Sequence, residues 1–298
     1  MTRYKTPHAL EMAAKQVAKE SPMDTNKALA GFYFHRLLCR IFSTLDSPFV
    51  LKGGQGMLAR TVDARYTRDI DLATCRLDLS SAIGELERLA ALDLGDFVTF
   101  ELRTCEPIKA DDDYREGCRI TFGVHLGGRE KQSVSVDLVS DQVECEKPDK
   151  VTPVDRLEVG DLPVFDYSVY PVSKAIAEKY CGIIERYGGK PSSRVKDLID
   201  LVIYALTEEF DMPAVAKSIR RECALRSLTR PDRFLLPDEW GEPQLSRYRK
   251  LALSTGIPKE YATMEAGYVL VASMLDPAFH DDVPECRWNT SLLSWEMT

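Results

Sequence analysis

The segment Asp69-Ile70-Asp71-Leu72-Ala73 alternates acidic and aliphatic side chains. In an extended strand successive side chains point to opposite faces, so Asp69 and Asp71 share one face and Ile70 and Leu72 the other. The strand's rise sets the two carboxylates about 7 Å apart along the chain. The aliphatic pair faces a core. Two carboxylates projecting together repel one another unless a cation sits between them. Magnesium suits that position, because it takes carboxylates together with substrate phosphates.

Two further features fit the same chemistry. In Ser133-Val134-Ser135-Val136-Asp137-Leu138 the apolar residues again alternate, leaving Ser135 and Asp137 on the opposite face. Paired beside the first strand, Asp137 becomes a third carboxylate, and three can hold two metal ions. Upstream, Phe49-Val50-Leu51 reads as a short strand running into Gly53-Gly54 and a short helix through Met57 and Ala59. Glycine lets backbone N–H groups approach phosphate oxygens closely, and the helix start adds partial positive charge. No Walker GxxxxGK[ST] motif exists in the chain. A lone DxD is usually a turn or a solvated strand face, and a lone Gly-Gly is usually a turn. The order gives them weight: strand, Gly-Gly, helix, DxD strand, then a strand with one inward Asp.

The rest of the chain bounds the architecture. Its 298 residues suffice for one or two domains. Residues 8–20 and 24–44 read as helices, with Asp24 as N-cap of the second. A helix at 80–91 and strands at 97–104, 118–126 and 133–139 follow. A Pro-rich connection spans 145–168. From Pro171 the pattern turns helical almost to the end, at 171–187, 194–208, 212–226, 244–254 and 259–275. An α+β sheet domain followed by an α-helical domain is expected, divided near residue 170, as 1–45 N-terminal helices packing on the core, 46–170 and 171–298. Net charge of −8 excludes a uniformly basic nucleic-acid-coating surface but leaves room for local patches. The N-terminus has no apolar run of a secretory signal and no stretch could span a bilayer, so a cytoplasmic protein without a membrane partner is expected. None of the eight cysteines forms a CxxC pair, and free thiols are expected.

The run Phe49-Val50-Leu51-Lys52-Gly53-Gly54, followed by Arg65-Tyr66-Thr67-Arg68-Asp69-Ile70-Asp71-Leu72, resembles the AbiEii/MenT nucleotidyltransferase toxins of the DNA polymerase β-like superfamily. That family carries a Lys-Gly-Gly turn and an Arg-x-Ser/Thr-x-Asp-x-Asp strand. Gln55 stands where Ser or Thr is more usual, and can still donate to phosphate. Ala177-Glu178-Lys179 and Ser193-Arg194-Val195-Lys196-Asp197-Leu198-Ile199-Asp200 are similar to the family's later motifs. The resemblance implies a polymerase β-like sheet domain and a helical domain that completes the NTP site and binds acceptor.

Lys179 falls inside the apolar stripe of its helix, where a lysine either snorkels or meets a buried anion. Lys196, Asp197 and Asp200 lie opposite the stripe of the next helix. In an ordinary protein that is a solvated face; the resemblance makes it a cleft lining. The resemblance thus implies metal ligation by Asp69, Asp71 and Asp137, and nucleotide binding by Gly53, Gly54, Gln55, Lys179, Arg194, Lys196 and Asp197. It implies Mg2+ as cofactor, an NTP substrate, a tRNA 3′ end as acceptor and a cognate antitoxin, in a toxin that blocks translation. Arg220, Arg221, Arg226, Arg230 and Arg233 read as a solvated, ion-paired helix face or as a platform for tRNA backbone. Arg247, Arg249 and Lys250 are a smaller candidate patch. The rival enzyme reading transfers the nucleotide to a protein hydroxyl or a small molecule such as an antibiotic. The non-enzyme rival is a silent antitoxin or RNA-binding module, against which the intact carboxylates speak.

Overall fold

A computed structural model describes residues 4–108, 115–141, 146–280 and 282–298. The chain divides into two compact units, Met1–Val62 with Tyr66–Tyr170, and Asp63–Arg65 with Pro171–Thr298.

The first unit opens with helices α1 (Pro7–Glu20) and α2 (Thr25–Ile41). Asp24 caps α2 as its sequence suggests, accepting from the Asn26 and Lys27 amides at 3.1 Å. Strand β1 (Val50–Lys52), helix α3 (Gly53–Arg60), strand β2 (Ile70–Thr74) and helix α4 (Leu79–Ala90) follow. Then come β3 (Val98–Pro107), β4 (Arg115–Leu126), β5 (Arg129–Glu130), β6 (Val134–Asp141), β7 (Asp149–Val151) and β8 (Tyr167–Val169). Among the described residues these make one mixed sheet in the order β3-β4-β6-β2-β1-β8-β7, with β5 on β4. β2 and β6 run parallel, as do β1 and β8; the other pairs are antiparallel.

The alternation read from the sequence decides which face is buried. Ile70, Leu72, Val136 and Leu138 are 0% exposed, and α2 and α4 pack in the same core. One polar cluster interrupts it. Asp96 is fully buried and binds two arginines of α2: Arg36 Nε at 2.6 Å, and Arg40 Nη2 at 2.7 Å. A carboxylate there is tolerable only because it is paired. Burial pushes the Asp96 carboxyl upward, but Arg40 and Arg36 outweigh it and hold it below the usual range.

The second unit contains α5 (Val172–Ile184), the hairpin strands β9 (Arg186–Tyr187) and β10 (Lys190–Pro191), α6 (Val195–Thr207), α7 (Met212–Leu225), α8 (Glu242–Ala252) and α9 (Met264–Leu275). It ends in a hairpin, β11 (Cys286–Asn289) and β12 (Ser294–Met297). Helix α5 stops short of the expected residue 187. Gly188 and Gly189 adopt φ of 57° and 78° and turn the chain into a two-residue hairpin instead. The terminal hairpin departs from the helical expectation. It is held by Trp288, fully buried, whose indole donates to the Ala205 carbonyl at 2.7 Å. Trp288 stacks on Phe210 and meets Trp295 edge-on.

The free-thiol expectation holds for Cys39, Cys105, Cys118, Cys181, Cys223 and Cys286. It fails at Cys75, which is disulfide-bonded; Cys145 lies outside the described residues. Spacing in the chain says nothing of which thiols tertiary structure brings within bonding reach. Among the described residues no helix is long and apolar enough to cross a membrane.

Candidate nucleotidyl-transfer site

The sheet unit gathers its carboxylates by register. Asp71 on β2 lies directly beside Asp137 on β6. β1 sets Lys52 on the other side of Asp71, and β4 sets Arg119 on the other side of Asp137. Directly paired residues project to the same face of a sheet. Four adjacent strands therefore carry the row Arg119, Asp137, Asp71, Lys52 across one face, with both acids in the middle. Asp69 enters two residues earlier, just ahead of β2, and Thr67 Oγ1 donates to its Oδ1 at 2.8 Å.

The glycine turn is shaped around this row. Gly53 has φ of 63°, a left-handed conformation that an L side chain rarely adopts. A Cβ on Gly53 would fall on the Asp71 carboxylate. A Cβ on Gly54 would come within 3.0 Å of Thr67 Cβ. Both missing side chains thus leave room for the DxD segment itself, beyond any close approach to phosphate. Gln55 stands apart. It is 2% exposed, and its amide donates to Asp155 Oδ2 at 3.2 Å. Its side chain does not join the carboxylate face, because α3 turns it inward. Asp155 also lies 3.1 Å from His35 Nε2.

Asp137 is engaged by Arg119. The guanidinium Nε and Nη2 donate to Oδ1 and Oδ2, each at 2.7 Å. Asp137 hydrogen-bonding, with added charge from Asp69 and Asp71, raises the Arg119 pKa further. Among the described residues no group of three or more His, Cys, Asp and Glu is drawn together tightly enough to hold a metal ion. The donor set nevertheless suits a hard divalent cation: Asp69, Asp71 and Asp137 offer carboxylate oxygens on one face, and a guanidinium already stands in as the cation on Asp137.

The helical unit holds a second charged cluster, and it is buried rather than solvated. Asp197 and Asp200 on α6 are both 0% exposed. Lys179 of α5 meets the buried anion its place in the stripe calls for, and that anion belongs to the protein. Its Nζ lies 2.6 Å from Asp200 Oδ2 and 3.5 Å from Asp197 Oδ1. Arg65, from the segment that clusters with this unit, grips Asp200 through Nε at 2.9 Å and Nη2 at 3.1 Å. Arg194 Nε binds Asp197 at 2.5 Å. Burial works against the Lys179 charge, but Asp200 and Asp197 outweigh it and raise its pKa. Burial likewise works against the Asp200 carboxylate, and Lys179 and Arg65 outweigh it, lowering its pKa. Lys196 differs. It is half-buried, and among the described residues its ammonium has no hydrogen-bond or ion-pair partner. Desolvation lowers its pKa, with Asp197 opposing and Arg194, Arg65 and Lys179 reinforcing the shift.

Arg226, grouped by sequence with a surface patch, is a structural side chain tied to Glu185 and Glu222, each at 2.6 Å. Arg220, Arg233, Arg247, Arg249 and Lys250 are exposed. Sequence reasoning missed three residues. Arg65 sat inside the quoted motif but was given no role. Arg119 carried no signal until register put it beside Asp137. Asp155 lies a hundred residues from its partner Gln55.

Strand carboxylates sharing one face beside a close glycine turn are a donor set of the kind that cation-assisted phosphate chemistry uses. The chain matches a family model described as nucleotidyl transferase AbiEii toxin, type IV toxin–antitoxin system, over residues 36–283. It belongs to that family of nucleotidyltransferase toxins. Among solved structures it is similar to MenT4, a nucleotidyltransferase toxin from Mycobacterium tuberculosis H37Rv, at 17% identity and a TM-score of 0.54 over 92% of this chain and 90% of that one. It is also similar to JHP933 from Helicobacter pylori, at 15% identity and a TM-score of 0.43, over 84% of this chain and 93% of that one. No curated protein matches by sequence.

Proposed function

We propose that this nucleotidyltransferase moves a nucleoside monophosphate from an NTP to the 3′-hydroxyl of a tRNA in the cytoplasm, releasing pyrophosphate and blocking translation until a cognate antitoxin intervenes. The observation that carries the catalytic part is the register of β2 and β6, which sets Asp71 against Asp137 beside Gly53. Asp69, Asp71 and Asp137 would hold Mg2+. When bound, the metal would supply positive charge that offsets the negative charge developing on the departing pyrophosphate. Asp137 accepts the proton of the acceptor hydroxyl as its oxygen attacks the α-phosphorus. The P–O bond to pyrophosphate breaks in line with that attack. Thr67 fixes the rotamer of Asp69, and the Gly54 backbone approaches the phosphates.

Within the helical unit taken by itself, Lys196 offers an anion-binding group, since its ammonium has no hydrogen-bond or ion-pair partner among the described residues. Arg194, half-exposed although tied to Asp197, adds a second. Lys179, Asp197, Asp200 and Arg65 act as the brace that positions them. Exposed Arg220, Arg233, Arg247, Arg249 and Lys250 support contact with an RNA backbone.

The test is transfer of label from each NTP, with Mg2+ and total tRNA, by the full chain and by its Asp69→Ala/Asp71→Ala variant. Label is expected in tRNA with the intact chain only, the variant losing about a thousandfold or more, since metal-held charge is worth several kcal/mol in such a step. Label in protein or a small product instead would replace tRNA as acceptor and leave the transferase reading standing. Absence of label from every acceptor would overturn both.

A further inference from the structure

We infer that Arg119 is a built-in counter-cation for the carboxylate row, holding Asp137 until a divalent ion displaces it. The inference rests on the reading of Asp69, Asp71 and Asp137 as metal ligands. Three observations carry it. Register fixes Arg119 next to Asp137 and Asp137 next to Asp71, so two acids stand side by side on neighbouring strands. Like charges directly opposite on a sheet destabilise it, and the guanidinium offsets them. The contact is bidentate, one hydrogen bond on each Asp137 oxygen, so the guanidinium occupies a lone-pair position of each and competes with a metal for the carboxylate's charge.

Arg119 is also placed to leave. Its side chain is 53% exposed and that of Asp137 18%. Released, it rotates into water without burying a charge. A divalent ion meeting three carboxylates has the stronger claim on Asp137 than one guanidinium. Metal loading and arginine release are then a single exchange, and the site closes on a metal only by giving up its own cation. Neutralising Arg119 removes the competitor, so metal should bind more tightly, the reverse of what a mere structural brace for Asp137 would give.

The experiment titrates the full chain with Mn2+ as a paramagnetic probe, reading free ion by EPR, for the wild type and the Arg119→Gln, Arg119→Lys and Asp137→Asn variants. Arg119→Gln should bind Mn2+ about fivefold more tightly, the factor expected on removing a competing exposed pair. Arg119→Lys, which keeps charge without the bidentate fork, should fall between. Asp137→Asn should bind more weakly than wild type. Circular dichroism checks that each variant is folded, and Arg119→Lys decides the matter should Arg119→Gln fail that check. Unchanged or weaker Mn2+ affinity in the folded variant would overturn the proposal, as would absence of Mn2+ binding by every form. No nucleotide or acceptor enters this measurement. Tighter binding without transfer to any acceptor would leave the exchange standing and remove the functional reading. Transfer with unaltered affinity would do the opposite.

Discussion

Gly53 and Gly54 are determined by the side chains that face them as much as by any ligand. Gly53 combines φ of 63° with a Cβ position already occupied by the Asp71 carboxylate. Gly53→Ala therefore faces both a strained backbone and a displaced Asp71 carboxylate. It should cost about 1–2 kcal/mol in urea unfolding, the penalty of a left-handed non-glycine residue. Transfer should fall further than stability does, by about tenfold or more, because Asp71 must move by the reach of a methyl group. Full activity in a destabilised Gly53→Ala protein would show that Asp71 is not held at the position described. Lys179 illustrates the same dependence on surroundings. An isolated lysine buried in an apolar stripe would lose its charge, yet Asp200 at 2.6 Å and Asp197 at 3.5 Å keep it protonated.

At the scale of elements, α2 is the part whose chemistry is least ordinary. It is buried along most of its length and brings Arg36 and Arg40 into the core. Both depend on Asp96, which lies just ahead of β3. Asp96→Ala would leave two guanidinium groups facing a cavity with no anion. The expected loss is about 3–5 kcal/mol, the cost of breaking a buried pair from one side. Chemical denaturation measures it, and a loss under about 1 kcal/mol, the worth of a surface pair, would show that water reaches the cluster. Helix α6 is the counterpart in the second unit. Its acidic face was legible as a face, but the partners that bury it, Arg65 and Lys179, come from 135 residues upstream and from α5.

For the whole molecule, the paired carboxylates set the pH range of stability. Lys15 and Lys131 hydrogen-bond Glu11 and hold its carboxyl down to about 2. Asp96 and Asp200 are also held below the usual range. A group lowered in the folded state stabilises above its unfolded pKa, about 4 for these acids, and loses that contribution as pH falls toward its folded value. On the alkaline side, burial pushes Tyr33 up to about 12. The unfolded tyrosine ionises near about 10 and draws the protein open above that pH. Thermal midpoints should be level between about pH 5 and 9 and fall on both sides. A midpoint that holds to about pH 2.5 would contradict the carboxylate pairing, since by then the unfolded acids are fully protonated.

Much of this protein is written locally. Alternation in Asp69–Leu72 and Val134–Leu138 settles which side chains enter the core, because a strand has only two faces. Asp24 marks the start of α2, because a helix start needs an acceptor for its open amides. Family membership, too, was legible in short motifs around Gly53-Gly54 and Asp69-x-Asp71. Pairing was not. Nothing local places Arg119 beside Asp137, turns Gln55 toward Asp155, buries Asp200 under Arg65, or folds residues 286–297 into a hairpin on Phe210. Side-chain periodicity is a property of one segment. A charge acquires its partner, and so its role, only when register and packing bring distant segments within a few ångströms of each other.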